Sequence, residues 1–139
     1  MDDFFKNKGF ESGGMLNFTP RQALTLCQKG AILIDVREEY MNRFKMFDVP
    51  QFIYCPFSIL EETYLHLPLG KPMIIADSTG IHSKEAVTFL QERGLGSLIA
   101  NLAGGLVEWE RDEMPLIIDK SEQLSGSCMC QLRPRNKKM

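Results

Sequence analysis

Short apolar runs, separated by segments whose apolar positions recur every three or four residues, set the reading of this chain. Ala31-Ile32-Leu33-Ile34-Asp35-Val36 is nearly unbroken and rich in β-branched residues. A run of that kind reads as a strand buried on both faces. Gln51-Phe52-Ile53-Tyr54-Cys55, closed by Pro56, reads as a second strand, Pro72-Met73-Ile74-Ile75-Ala76 as a third, and Ser97-Leu98-Ile99-Ala100-Asn101 as a fourth. Helices are predicted between them. Thr19 can cap the first and Pro20 suits its first position, where no N–H is wasted. Ala23, Leu24 and Cys27 share a face, and Gly30 stops the helix. Residues 38–46 read as helical, and a short helix is expected near residues 58–63. A longer helix runs over 83–93, with Ala86, Val87, Phe89 and Leu90 inward and Gly94 as its stop. Gly104-Gly105 leads into a last short helix around Trp109. Strands alternating with helices over short connections predict one α/β domain: a mostly parallel central sheet with helices on both faces. Ligands in such folds sit beyond the carboxyl ends of the strands, which is where Asp35, Asn101 and the loop of residues 77–82 fall.

Length and composition narrow this further. The 139 residues suit one domain, long enough to bury a core without staples. Residues 1–16, with Gly9, Gly13 and Gly14 among polar and aromatic residues, read as a loosely ordered lead-in; 17–118 form the domain; 119–139 read as a flexible polar tail. That tail carries Cys128-Met129-Cys130 and the basic end Arg133-Pro134-Arg135-Asn136-Lys137-Lys138. A net charge of -2 gives no reason to expect nucleic acid as a partner. No apolar run approaches the roughly 20 residues of a membrane span. The start Met1-Asp2-Asp3-Phe4-Phe5-Lys6 lacks the pattern of a signal peptide, so a reducing cytoplasm is expected. The four cysteines are then free thiols or ligands, with Cys27 and Cys55 read as buried small hydrophobes.

Four segments, in order and at matching spacing, resemble the rhodanese family over about residues 17–116. Leu33-Ile34-Asp35-Val36-Arg37-Glu38 is similar to its LIDVRE segment, and Ile53-Tyr54-Cys55-Pro56 falls where the family has INIP. The stretch from Pro72 to Ser83 is similar to the strand and active loop PIVVYCRSGNRS. Asn101-Leu102-Ala103-Gly104-Gly105-Leu106-Val107-Glu108-Trp109 resembles NLEGGILAW, and Met114-Pro115 follows where LP is frequent. The resemblance implies a loop whose cysteine takes sulfane sulfur as a persulfide, inside a cradle of backbone N–H groups at a helix N-terminus.

The departures bear on function. Asp77 stands at the cysteine position, Ser78 replaces a common basic residue, and His82 replaces the loop-closing arginine, while the six-position loop length is kept. The GHIPG segment is replaced by Phe47-Asp48-Val49-Pro50-Gln51. A carboxylate cannot carry a sulfane sulfur, and it places negative charge where an anionic donor would dock. Its expected role is to accept hydrogen bonds from the loop N–H groups in place of the persulfide. The competing reading is a phosphoryl-accepting nucleophile, but such sites hold Mg²⁺ with a second acid, and Ser78 and Thr79 follow instead. His82 is read either as a surface residue or as a proton carrier.

Asp35 and Arg37 share a face two residues apart and are expected to form a structural ion pair joining strand-end loops. Trp109 and Phe89 are expected in the core. The reading is therefore a catalytically inactive module that binds a protein partner or a small anion through Asp77, Ser78, Thr79, Gly80, Ile81 and His82, with no cofactor. The alternative is an enzyme in which Cys128 or Cys130 relays sulfur, their thiolates favoured by the basic end. A third reading uses the same pair for metal or redox chemistry, although two thiolates do not complete a tetrahedral site.

Overall fold

The computed structural model describes residues 2–6, 8–38, 44–95 and 98–118. Five parallel strands and one antiparallel edge strand form the main sheet. In chain order its strands are β1 (Phe10–Ser12), β2 (Met15–Phe18), β3 (Ile32–Asp35), β5 (Phe52–Tyr54), β6 (Met73–Ala76) and β7 (Ile99–Leu102). They lie side by side as β1-β2-β7-β6-β3-β5, with β1 antiparallel to β2. Helices α1 (Pro20–Gln28), α2 (Leu60–Thr63), α3 (Ile81–Glu92) and α4 (Gly105–Arg111) complete the layers. A two-stranded antiparallel ribbon, β4 (Lys45–Phe47) with β8 (Leu116–Ile118), lies apart from the main sheet.

Alternation along each strand sorts the core into two layers, because successive side chains of a strand point to opposite faces. Leu33, Ile74, Ala100, Leu102 and Phe18 pack with Ala23, Leu26 and Cys27 of α1 and Leu106 and Trp109 of α4. Ile32, Ile34, Met73, Ile75, Ile99 and Met15 pack with Leu60 of α2 and Ala86, Val87 and Leu90 of α3. Burial on both faces is why β3, β6 and β7 read as nearly unbroken apolar runs. Phe89 is only partly buried: it meets Tyr64 edge-on and carries the Arg93 guanidinium over its face.

Two expectations are corrected. Residues 10–16, assigned to a loose lead-in, belong to a hairpin of residues 10–18 within the sheet. Gly13 and Gly14, with φ of 65° and 79°, form the two-residue link between Ser12 and Met15. Two consecutive positive φ values suit the hairpin turn whose twist matches its strands. Phe5 also joins the core, edge-on to Phe18 with ring centroids 5.0 Å apart. The helix expected over 38–46 is contradicted at its end, where Lys45–Phe47 is a strand paired with a segment some seventy residues later; residues 39–43 lie outside the described residues. Phe47 is drawn inward against Trp109, ring centroids 5.2 Å apart, so tertiary packing overrides the local pattern. Among the described residues no helix is long and apolar enough to cross a membrane.

Candidate functional site

The loop of residues 77–82 connects the carboxyl end of β6 to the start of α3. A helix start leaves its first N–H groups without intrahelical partners. Here the N-cap position is Gly80, with φ of 98° and no side chain to cap with. Asp77 supplies the missing acceptor from three residues upstream. Its Oδ1 accepts a hydrogen bond from Gly80 N–H. Its Oδ2 accepts from His82 N–H at 2.7 Å and Ser83 N–H at 3.2 Å. The Ser83 hydroxyl also approaches Oδ1 at 3.4 Å. Asp77 is 3% exposed. A negative charge at a helix N-terminus, ringed by N–H donors, is the arrangement in which charge-assisted bonds are strongest.

The loop is clamped from behind by α4. Leu106 N–H donates to Asp77 O at 2.8 Å and Val107 N–H to Ser78 O at 3.0 Å. Gly105 makes this approach feasible: it has φ of 61°, and a Cβ there would lie 2.5 Å from Asp77 O and 2.6 Å from Ser78 C. Gly105→Ala therefore forces backbone apart at a left-handed position and is expected to cost about 2–3 kcal/mol of stability. Urea unfolding monitored by Trp109 fluorescence measures it.

At the mouth of the loop the side chains are largely exposed. Ile81 is 64% exposed, while His82 stacks on Phe57, ring centroids 5.4 Å apart, and its Nδ1 lies 3.1 Å from Glu85 Oε1. Ile59, in the same turn as Phe57, and Val107 on α4 are also exposed. Of the six loop residues expected to form the site, Asp77 and Gly80 are thus inside it, Ser78 is half-buried, and Thr79, Ile81 and His82 face out. The His82 contribution to the cradle is its backbone N–H, not its ring.

Asp35 and Arg37 form the expected pair, both fully buried. Arg37 Nε lies 3.1 Å from each Asp35 oxygen, and Nη2 donates to Oδ2 at 2.9 Å. Arg37 N–H also donates to Oδ1 at 3.0 Å, and Nη2 reaches Lys45 O at 2.8 Å, tying the end of β3 to β4.

Cys27 and Cys55 are buried. Burial pushes the Cys27 thiol up from 9.0 to about 12. Cys55 Sγ lies 3.3 Å from Thr63 Oγ1. Because the folded-state value of Cys27 is raised, its contribution to stability is complete below about pH 9 and is lost as pH rises toward 12. In the native protein Cys27 is expected to resist iodoacetamide at about pH 8 and to react fully in denaturant, as peptide mass mapping would read. Cys128 and Cys130 lie outside the described residues. No group of three or more His, Cys, Asp or Glu side chains is placed to hold a metal ion among the described residues.

The strand pattern places Asn101 at a strand's carboxyl end but does not join it to Asn17 or Ser83. Ser83, Asn101 and Asn17 are buried beside the cradle and joined to it by hydrogen bonds. Asn17 and Asn101 show in the sequence only as polar residues at core-facing strand positions, and Ser83 only as a small polar residue in the first turn of α3.

A family model for the rhodanese-like domain matches residues 19–112. The thiosulfate sulfurtransferase GlpE of Haemophilus influenzae (strain PittEE) is 29% identical over 102 residues, covering 70% of this chain and 90% of that protein. A sulfurtransferase of Allochromatium vinosum is 25% identical over 86 residues, covering 62% and 78%. The crystal structure of a rhodanese-related protein from Thermoplasma volcanium superposes with a TM-score of 0.63 at 27% identity, covering 72% of this chain and 95% of that one.

Proposed function

This chain belongs to the rhodanese-like domain family, and from that premise we propose that it is a non-catalytic member whose loop face docks a protein partner. The observation that carries the reading is the Asp77 carboxylate, buried in the cradle and holding the N–H groups of Gly80, His82 and Ser83. Sulfur transfer at this loop needs a thiolate that attacks the sulfane sulfur and then carries it. A carboxylate oxygen does neither. The same occupancy argues against a small anion in the cradle, since its donors are engaged and its interior already holds a negative charge. What remains accessible is the mouth, where Ile81 is exposed and His82 stacks on Phe57, with Ile59 in the turn of Phe57 and Val107 on α4 also exposed. Aliphatic side chains beside a rigid polar loop suit a protein surface better than a small charged ligand.

Two measurements test the reading. In a thiosulfate-to-thiol transfer assay, the wild type and the Cys128→Ser/Cys130→Ser variant are both expected to be silent. An active wild type silenced by the two serines would mean that the segment after β8 relays the sulfur, and the reading would fail. In NMR titrations with thiosulfate and with sulfate, the amide signals of Gly80, His82 and Ser83 are expected not to move. Saturable shifts at those three amides would make the loop an anion site instead.

A further inference from the structure

On the face of the sheet covered by α3, the inward positions are aliphatic except at two places. Asn17 on β2 and Asn101 on β7 are register partners in the parallel pair, so their side chains lie next to one another on the same face. Both are buried. Polar groups in an apolar layer are costly unless satisfied, and here they are satisfied in series. Asn17 Nδ2 donates to the carbonyls of Met15 at 3.1 Å and Ser12 at 3.2 Å and reaches that of Phe10 at 3.5 Å, so it spans the β1–β2 hairpin. Asn17 Oδ1 accepts from Asn101 Nδ2 at 2.8 Å, and Asn101 Oδ1 accepts from the Ser83 hydroxyl at 2.5 Å. Ser83 then touches Asp77 through its backbone N–H and, at 3.4 Å, its hydroxyl oxygen.

A serine hydroxyl has one proton. Given to Asn101 at 2.5 Å, it is not available to the more distant Asp77 oxygen. The Ser83 side chain is therefore locked by Asn101, and Asn101 is locked by Asn17. We infer that Asn17 and Asn101 are positioning residues of the binding loop: through Ser83 they fix the first turn of α3, and so the cradle, to the N-terminal hairpin. Asn17 precedes the segment that the family model matches, residues 19–112, so the hairpin is a support for the loop supplied from outside that segment. The inference rests on the reading of the loop face as a docking surface for its functional meaning, but the coupling itself is measured without a partner.

Amide hydrogen exchange on the full-length ¹⁵N-labelled chain tests it. Asn17→Leu is expected to speed exchange at the amides of His82 and Ser83 by about tenfold or more, while core amides such as that of Ile75 change by less than about twofold. In a Ser83→Ala background the same substitution is expected to leave the loop amides unmoved, because the link is already cut. Should Asn17→Leu fail to fold, Asn17→Leu/Asn101→Leu replaces both partners with apolar groups of similar size and is read in the same way, with Ser83→Ala as its background control. A rise shared equally by the whole chain, a rise confined to the hairpin, or a loop effect that persists in Ser83→Ala would each overturn the inference. None of these outcomes depends on the sulfur-transfer result, so the coupling and the docking reading stand or fall separately.

Discussion

Arg37→Ala is expected to destabilise the fold by about 3–5 kcal/mol, the range seen when one partner of a buried ion pair is removed. The size follows from what is left behind. Asp35 is wholly buried, and its carboxylate takes three side-chain bonds from Arg37. Without the guanidinium, only the backbone N–H of residue 37 still donates to it among the bonds described above. Lys45 O loses its donor at the same time, which loosens β4 against the end of β3. Arg37→Lys is expected to recover little, since an ammonium cannot engage both carboxylate oxygens as a planar fork does. A double variant, Asp35→Leu/Arg37→Met, should cost less than Arg37→Ala alone, because the charge is removed together with its partner. Urea midpoints for the three variants decide this. A double variant worse than the single one would mean that the pair contributes more than the burial cost it offsets.

Asp77→Ala is the second large effect, with an expected loss of about 2–4 kcal/mol. The alanine leaves the N–H groups of Gly80, His82 and Ser83 without their acceptor at the start of α3, where Gly80 has no side chain to substitute. Asp77→Asn keeps one acceptor oxygen but brings an NH₂ group toward donors, so an intermediate loss of about 1–2 kcal/mol is expected. Ile81→Ala, in the same loop but exposed, should stay within about 0.5 kcal/mol of wild type. Denaturant unfolding of the three variants gives the order directly. If Asp77→Ala were as mild as Ile81→Ala, the carboxylate would not be holding the cradle.

Much of this architecture is legible in the sequence. β3, β6 and β7 stand where the apolar runs placed them, because a strand covered on both faces has few polar positions to blur its pattern; the half-buried edge strand β5 also stands where its run placed it. α1 starts where Thr19 and Pro20 said it should, and Thr19 accepts from Gln22 N–H at 3.3 Å while Gln22 Oε1 accepts from Thr19 N–H. Reading Asp77 at the cysteine position rests on the resemblance of residues 77–82 to a family loop of the same length. What was not readable depends on distant partners. β4 and β8 are three residues each and exist through each other, so neither has a period of its own. The Gly13-Gly14 pair was available as a hairpin signal, but the three-residue strand before it is exposed throughout and offered no apolar alternation. Asn17 and Asn101 look like ordinary polar interruptions in a strand. Only the register of β2 on β7 brings them together. The helix-start geometry also assigned His82 its part in the cradle through its backbone rather than its ring, which residue type alone does not reveal.

If the proposed function holds, the backbone cradle around Asp77 can still accept a sulfur-carrying cysteine at that position. The most direct measurement is single-turnover loading of Asp77→Cys with thiosulfate under anaerobic conditions, read by intact-protein mass beside the wild type and beside Asp77→Ser. Asp77→Cys is expected to gain the mass of one sulfur atom and to lose it to a thiol acceptor, and neither wild type nor Asp77→Ser is expected to take up sulfur. Sulfur taken up by the wild type to the same extent as by Asp77→Cys would contradict the proposed function.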